Sequence, residues 1–159
     1  MPRVAAGRHM SLDPLTVWRF MSNADRRPDW DLSVRKFRRD GAEGDMRTRL
    51  HYIAPLLGRV CWMWEGRYVV YDPPRRSAVQ MVRGSRLSPV SRLAGTWVVH
   101  AEGDGSYVEM IVQFESRLPL VAAFLSRRIK QVLERSLVQL DMAMALEGMM
   151  NGRGADGSG

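Results

Sequence analysis

The final long segment of the chain, from Pro119 to about Met150, has the hydrophobic periodicity of a single amphipathic helix. Its apolar positions recur at intervals of three and four residues, which places them on one face of a helix. These positions are Val121, Phe124, Leu125, Ile129, Val132, Leu133, Ser136, Leu137, Leu140 and Met144. Pro119 fits the first helical turn, and Gly148, Asn151 and Gly152 predict where the helix stops. A stripe of this length has to be buried against another large element, and that requirement constrains the whole fold.

The rest of the chain supplies that element as a series of short strands. Between Val34 and Phe114 apolar and polar residues alternate with a period of two, and turn residues separate the runs. The predicted strands are Arg3 to Leu12, Val34 to Arg39, Met46 to Ile53, Val60 to Val70, Ser77 to Gly84, Ala94 to Ala101 and Tyr107 to Ser116. Two short helices are expected after the first strand. Asp13 caps the first helix, and the second ends near Arg27 because Pro28 disfavours helix in the residue before it.

This order of elements predicts an α+β fold in which a curved antiparallel sheet of six to seven strands wraps around the long C-terminal helix. The chain has 159 residues, of which 45% are hydrophobic and 26% charged, so it is large enough for one complete core. We therefore expect a single domain over residues 1–151. The tail at 152–159 should be disordered, because it contains almost nothing that can be buried.

The net charge of +7 raises the question of nucleic-acid binding. The basic residues are nearly all arginines scattered along the chain, and none joins a helix-turn-helix, zinc-finger or RNA-binding signature. The predicted inward faces also lack the cluster of His, Cys and carboxylate side chains that a metal needs, so we expect no metal ion and no cofactor. A single cysteine, Cys61, excludes an internal disulfide, and no long apolar run precedes the first strand. We expect a cytoplasmic protein, as a monomer or a homodimer.

A sheet curved around one helix cannot close tightly along its whole length when two short helices hold its end away, so an internal pocket is expected. The side chains assigned to its walls are bulky and apolar or aromatic, which suits a flat hydrophobic ligand. They are Trp18, Trp30, Tyr52, Trp62, Trp64, Met81, Trp97, Met110, Phe114 and Phe124. The alternative is that these residues fill an ordinary core. Five tryptophans in so short a chain, three of them on adjacent predicted strands, favour the pocket.

The chain resembles the START-like, helix-grip superfamily, which includes the birch-pollen allergen and the polyketide cyclase/dehydrase group. The matching segments are Pro14-Leu-Thr-Val-Trp18, Pro28-Asp-Trp30, Trp62-x-Trp64-Glu65, Asp72-Pro-Pro-Arg-Arg76, Gly95-Thr-Trp97, Gly103-Asp-Gly-Ser106 and the final helix. Their order and spacing cover nearly the whole chain. Within the superfamily it looks most like the bacterial aromatase/cyclases, which bind a poly-keto chain and direct its ring closure. The resemblance implies a hydrophobic ligand, delivered by an acidic acyl carrier protein.

Several polar positions of those cyclases are replaced in this chain. Where they carry a serine and an arginine on one strand and a glutamine on another, this sequence has Trp64, Gly66 and Val112. Arg67 takes the place of that arginine only if a bulge turns it inward. Arg83 aligns with an inward arginine of the family, and the alternative is a surface arginine at a strand end.

Two residues are therefore the candidates for catalysis. Arg83 is expected to stabilise an enolate or alkoxide, and Tyr52 to donate or shuttle a proton. A hydrogen-bonding residue at the pocket rim is the other interpretation of Tyr52. Two functions from different classes follow: a polyketide cyclase of secondary metabolism, and a non-catalytic carrier or sensor of a lipid, quinone or polyketide.

Overall fold

Seven strands form one antiparallel sheet in the computed structural model, which describes residues 1–155. The strands are β1 (Arg3–Met10), β2 (Lys36–Asp40), β3 (Arg49–Leu57), β4 (Val60–Asp72), β5 (Arg76–Gly84), β6 (Val90–Glu102) and β7 (Gly105–Ser116). The helices are α1 (Pro14–Ser22), α2 (Arg27–Trp30) and α3 (Ala122–Ala155), and a 3-10 turn at Pro119–Val121 precedes α3. Across the sheet the order is β1-β7-β6-β5-β4-β3-β2. The predicted α+β fold, a curved antiparallel sheet with a long C-terminal helix, is confirmed.

The two short helices begin as their first residues dictate. The Thr16 backbone N–H donates to the Asp13 carboxylate at 3.0 Å, and Pro14 occupies the first turn of α1, as predicted. The predicted end of the second helix at Arg27 is wrong, since α2 begins there. Pro28 lies in the first turn of α2, where its missing N–H costs nothing because no carbonyl of the helix would accept it.

The apolar stripe of α3 packs against the sheet over most of its length. Leu133, Ser136, Leu137, Leu140 and Met144 are buried, and the Leu32 backbone N–H donates to the Ser136 hydroxyl at 2.9 Å. α3 continues to Ala155, so the predicted stop at Gly152 is wrong by about one helical turn. The rest of the predicted tail, 156–159, lies outside the described residues. No helix among residues 1–155 combines the length and the apolar character needed to cross a membrane.

Two β-bulges between β4 and β5 decide which side chains face α3. Glu65 lies opposite Arg83 and Gly66 opposite Met81, so Val82 is an extra residue on β5. Tyr68 lies opposite Val79 and Val70 opposite Ala78, so Val69 is an extra residue on β4. Each extra residue reverses the alternation of inward and outward side chains beyond it.

Candidate functional site

A cavity of about 330 Å³ lies between the sheet and α3. Its wall is largely aromatic, and α3 supplies an aliphatic side. The aromatic residues that line it are Trp18, Phe37, Tyr52, Trp62, Trp64, Tyr68, Tyr71 and Trp97, and the aliphatic residues from α3 are Leu125, Ile129, Val132 and Leu133. A space of this size and apolar character is typical of a small-molecule site.

Three rings on β3 and β4 form one continuous stack within this wall. Tyr52 and Trp64 are opposite each other across the two strands, and their rings stack at 3.9 Å between centroids with an interplanar angle of 6°. Trp62 follows on the same face of β4, 6.2 Å from Trp64 and tilted by 21°. Aromatic pairs prefer to stack or to meet edge to face, so the side of this stack that borders the cavity is suited to contact with a further ring system.

Six of the predicted site residues line the cavity. They are Trp18, Tyr52, Trp62, Trp64, Trp97 and Met110. Met81 packs against the neighbouring core and does not reach the cavity surface. Trp30 and Phe114 are fully buried in the core, and the Trp30 ring lies 5.7 Å from the ring of Trp97. Their predicted place on the cavity wall is therefore wrong, although both support it from within the core.

Three predicted site residues lie outside the cavity. Arg83 is exposed, because the bulge at Val82 puts it opposite Glu65 on the outer face of the sheet. Arg67 is also exposed and lies on the outer face opposite Gln80, so no bulge turns it inward. Phe124 is 64% exposed, because adjacent residues of a helix are about 100° apart and its neighbour Leu125 takes the cavity position. The expectation that these three side chains enter the cavity is wrong.

The polar centre of the cavity is an arginine that the sequence analysis did not select. The Arg27 side chain is 13% exposed, and its Nε donates to Oδ2 of the fully buried Asp31 at 2.6 Å. Asp31 also accepts hydrogen bonds from the backbone N–H and the hydroxyl of Ser33. The guanidinium carbon lies 4.3 Å from the ring centroid of Trp97, and the rings of Phe37, Tyr52 and Trp30 are 5.2, 5.7 and 5.7 Å away. The charge is thus held by one carboxylate and four aromatic rings.

Electrostatics fix the protonation states of this centre. Burial lowers the pKa of Arg27, but the charge and hydrogen bond of Asp31 together with Tyr52 and Tyr68 outweigh it, so the net pKa is raised and the guanidinium stays charged. Burial raises the pKa of Tyr52 to about 12, although the nearby Arg27 charge opposes the change. At neutral pH the cavity therefore presents a cation beside a neutral phenol that donates a hydrogen bond.

The raised pKa of Tyr52 predicts a loss of stability in alkali. Folding favours the neutral phenol, so this contribution is complete below pH 10 and disappears as the pH rises towards about 12. Relative to Tyr52→Phe, the wild type should lose about 2 to 3 kcal/mol of unfolding free energy across that interval. Urea unfolding of both proteins at a series of pH values measures the difference. The assignment is contradicted if the two curves stay parallel from pH 9 to 12.

A second polar group lies on the same wall, formed by Arg39, Glu43, Tyr68 and Tyr71. Arg39 and Glu43 form an ion pair at 3.7 Å. Burial, followed by the proximity of Glu43, raises the pKa of Tyr71 to about 12. Gly44 has a φ of +78°, and a Cβ at this position would meet the Tyr71 ring at 2.1 Å. Only glycine allows the β2–β3 connection to approach this ring so closely.

One signal in the sequence pointed to the Arg27 centre, whereas no local pattern pointed to the pair of Tyr68 and Tyr71. The spacing Arg27-x-x-x-Asp31 is the i, i+4 arrangement of a helical ion pair. Tyr68 and Tyr71 fall on opposite faces under strict alternation. They line the cavity together because the bulge at Val69 changes the phase between them.

The cavity reaches the surface beside α3. Four of its lining residues are exposed, namely Leu32 from the segment after α2 and Arg128, Gln131 and Arg135 from α3. The two arginines lie two turns apart on the same side of the helix, so the opening has a basic rim.

Comparison with known proteins places this architecture in a family. The sequence model of the family described as polyketide cyclase / dehydrase and lipid transport matches residues 1–145. No curated protein matches the sequence significantly.

Three solved structures are similar over most of their length. TTHA0849 from Thermus thermophilus has a TM-score of 0.74 and 23% identity, covering 89% of this chain and 95% of its own. XoxI from Bacillus cereus has a TM-score of 0.71 and 18% identity, covering 92% and 99%. Major latex-like protein 151 from Panax ginseng has a TM-score of 0.70 and 12% identity, covering 89% and 96%. At these identities the likeness establishes the fold. Because the family model matches residues 1–145, the chain belongs to the polyketide cyclase / dehydrase and lipid transport family, and its fold is the helix-grip fold.

Proposed function

We propose that this protein binds a planar hydrophobic small molecule in its internal cavity and acts as its carrier or sensor. The observation that carries the proposal is the open space in front of the stacked rings of Tyr52, Trp64 and Trp62. An ordinary core would fill such a space, because interiors are packed to the density of organic crystals. A flat ligand lying beside this stack would gain both apolar burial and edge-to-face aromatic contacts.

The position of Arg83 removes the catalytic donor that the sequence analysis suggested for an enzyme. Catalysis by charge stabilisation needs a preorganised donor at the atom where charge develops. Arg83, the candidate for that role, is exposed on the outer face of the sheet and cannot reach a ligand in the cavity. Binding by apolar contact and stacking needs no such group.

Fluorescence of the tryptophans tests the proposed function. Four of the five tryptophans, Trp18, Trp62, Trp64 and Trp97, line the cavity, so a bound ring system lies within contact distance of the emitting indoles. 2-Methylanthracene absorbs where indole emits, and we expect saturable quenching of the protein with sensitised anthracene emission. Urea-unfolded protein is the control for nonspecific transfer. A complete lack of saturable quenching across two-, three- and four-ring compounds would refute ligand binding.

Cyclisation of a poly-keto chain is the second candidate function, and Tyr52 is the observation that favours it. Its neutral phenol lies in the cavity wall beside the Arg27 charge. In an aldol closure a C–C bond forms between an enolate carbon and a carbonyl carbon, and the proton lost from the α-carbon ends on the new alkoxide. Tyr52 would donate a hydrogen bond to that oxygen. Glu43, a carboxylate in the lining, would accept the α-proton and release it to water, and water would protonate the alkoxide. No atom is lost in this step.

The two candidates differ in turnover. A cyclase converts a 1,3,5-triketone to its aldol product faster than buffer does, and Tyr52→Phe loses that rate. A carrier binds the same compound and returns it unchanged. Product analysis by mass spectrometry and ultraviolet absorption separates them, and a rate equal to that in buffer excludes the cyclase.

The basic rim of the opening supports one further part of the cyclase proposal, a substrate tethered to an acyl carrier protein in the cytoplasm. Arg128 and Arg135 are exposed beside the opening and suit the acidic surface of such a carrier. Gel filtration with an acidic acyl carrier protein at low salt tests this partner. Separate elution of the two proteins would contradict it.

A further inference from the structure

We infer that Arg27 and Tyr52 form a binding point for an ionised oxygen, so that the ligand is a planar aromatic or poly-keto molecule carrying an enolate, phenolate or carboxylate. This inference rests on the proposed binding function and specifies the class of ligand. It depends on three features of the cavity: free donors on Arg27, the excess of positive charge in the lining, and the aromatic surroundings.

Arg27 has donor capacity that the protein does not use. A guanidinium carries five N–H groups in a planar fork. Its Nε donates to Asp31, and a terminal nitrogen lies close enough to the Tyr52 hydroxyl to lower the pKa of that phenol through a hydrogen bond. At least three N–H groups of the two terminal nitrogens remain for a ligand. These nitrogens are part of a side chain that lines the cavity. A carboxylate or a 1,3-dicarbonyl enolate presents two oxygens at the spacing that such a fork binds in a bidentate manner.

The lining carries more positive than negative charge. Its ionisable residues other than tyrosine are Arg27, Arg39, Arg128 and Arg135 against Asp31 and Glu43. Arg27 pairs with Asp31 and Arg39 with Glu43, so the excess lies on the two exposed arginines of the rim. Asp31 directs one oxygen to Arg27 Nε and the other to Ser33, so both of its oxygens already accept hydrogen bonds. An anionic oxygen brought to Arg27 therefore meets attraction without facing a free carboxylate.

The aromatic surroundings make that attraction strong. The ring faces of Trp97, Phe37, Tyr52 and Trp30 stabilise the cation, but a ring face does not replace a strong hydrogen bond to its N–H groups. They also keep the site apolar, where a charged hydrogen bond is worth more than in water. The Tyr52 phenol, neutral below pH 10, supplies one further donor at the same point. A ligand oxygen at Arg27 would leave its ring system against Tyr52 and Trp64, which stack at 3.9 Å.

Two probes with the same ring system test this inference: anthracene-2-carboxylate and 2-methylanthracene. The wild type should bind the carboxylate at least about tenfold more tightly, the effect of one charge-assisted hydrogen bond in a buried site. The double variant Arg27→Gln/Asp31→Asn replaces the ion pair by two neutral amides and should remove the preference. The affinity of each variant for 2-methylanthracene corrects for any change in the aromatic wall, so the measured quantity is the ratio of the two affinities. Tyr52→Phe should lower the preference in part, and Arg83→Gln, on the outer face, should leave it intact.

The outcomes separate the inference from the proposed function. Equal affinity of the wild type for both probes, or an unchanged preference in the folded double variant, overturns the inference and leaves ligand binding standing. Failure of both probes to bind overturns both. If the double variant does not fold, the wild type and Tyr52→Phe provide the test. The inference is then overturned if the wild type shows no preference for the carboxylate probe, or if Tyr52→Phe keeps the whole preference.

Discussion

Replacing Asp31 by alanine should lower the free energy of unfolding by about 3 to 5 kcal/mol, because it leaves a buried cation without its counter-ion. Asp31 is fully buried, and Arg27 is held 2.6 Å from it among four aromatic rings. The substitution also removes the acceptor of the Ser33 backbone N–H. Urea unfolding followed by tryptophan fluorescence measures the loss.

Two controls show whether the charge is the cause. Asp72→Ala removes the carboxylate of an exposed pair with Arg75, whose side chains are 50% and 74% exposed, and should cost less than about 1 kcal/mol. The double variant Arg27→Met/Asp31→Leu replaces the buried pair by apolar side chains and should recover most of the stability. Similar losses for Asp31→Ala and Asp72→Ala would show that the buried pair has no special role.

Replacing Gly95 by leucine should lower the affinity for 2-methylanthracene by about 10- to 100-fold, the range expected for forcing extra methylene groups into an occupied site. Gly95 lies on β6 in the cavity wall, and a Cβ added there has no atom within 4 Å. The new side chain would therefore occupy ligand space without a clash. Thermal unfolding should show equal or higher stability, because leucine buries apolar surface and restricts the unfolded chain more than glycine does.

Two other glycines provide matched controls for this substitution. Gly148→Leu places the same side chain on the exposed surface of α3, where a Cβ also meets nothing within 4 Å, and binding should be unchanged. Gly66→Ala should instead destabilise the protein by about 1 to 3 kcal/mol, because its Cβ would lie 2.8 Å from a methyl carbon of Val79. Full affinity in Gly95→Leu would mean that the ligand site lies elsewhere.

The fold could be predicted from the sequence because its hydrophobic periodicities, helical in α3 and alternating in the strands, arise between near neighbours and continue over long segments. The apolar stripe of α3 allowed one interpretation, a helix buried along one side. It includes Leu133, Leu137, Leu140 and Met144. The alternation from Val60 onwards placed Trp62 and Trp64 on one face before any partner strand was known. Asp13 and Pro14 determined the start of α1 through hydrogen bonding within a single turn. Each of these features depends on residues fewer than five positions apart.

Errors in the predicted site arose wherever a single residue changed the phase of a pattern. The bulge at Val82 turned Arg83 outward, and the bulge at Val69 brought Tyr71 inward beside Tyr68. A bulge is a property of the pairing between two strands, and it leaves no mark in the alternation of either strand alone. On α3, the difference of one position between Phe124 and Leu125 decided which of them faces the cavity.

The sequence by itself determined that a long helix would lie on a curved antiparallel sheet and that aromatic side chains would face the space between them. Only the tertiary structure decided which polar group meets a ligand there. Aromatic rings surround Arg27 because Phe37 on β2, Tyr52 on β3 and Trp97 on β6 converge on the start of α2. Those residues are far apart in the chain, and their distances depend on sheet register, bulges and helix placement together. Local hydrogen bonding and periodicity fix the elements, but the electrostatics of a buried site arise from side chains that meet only when the whole fold is assembled.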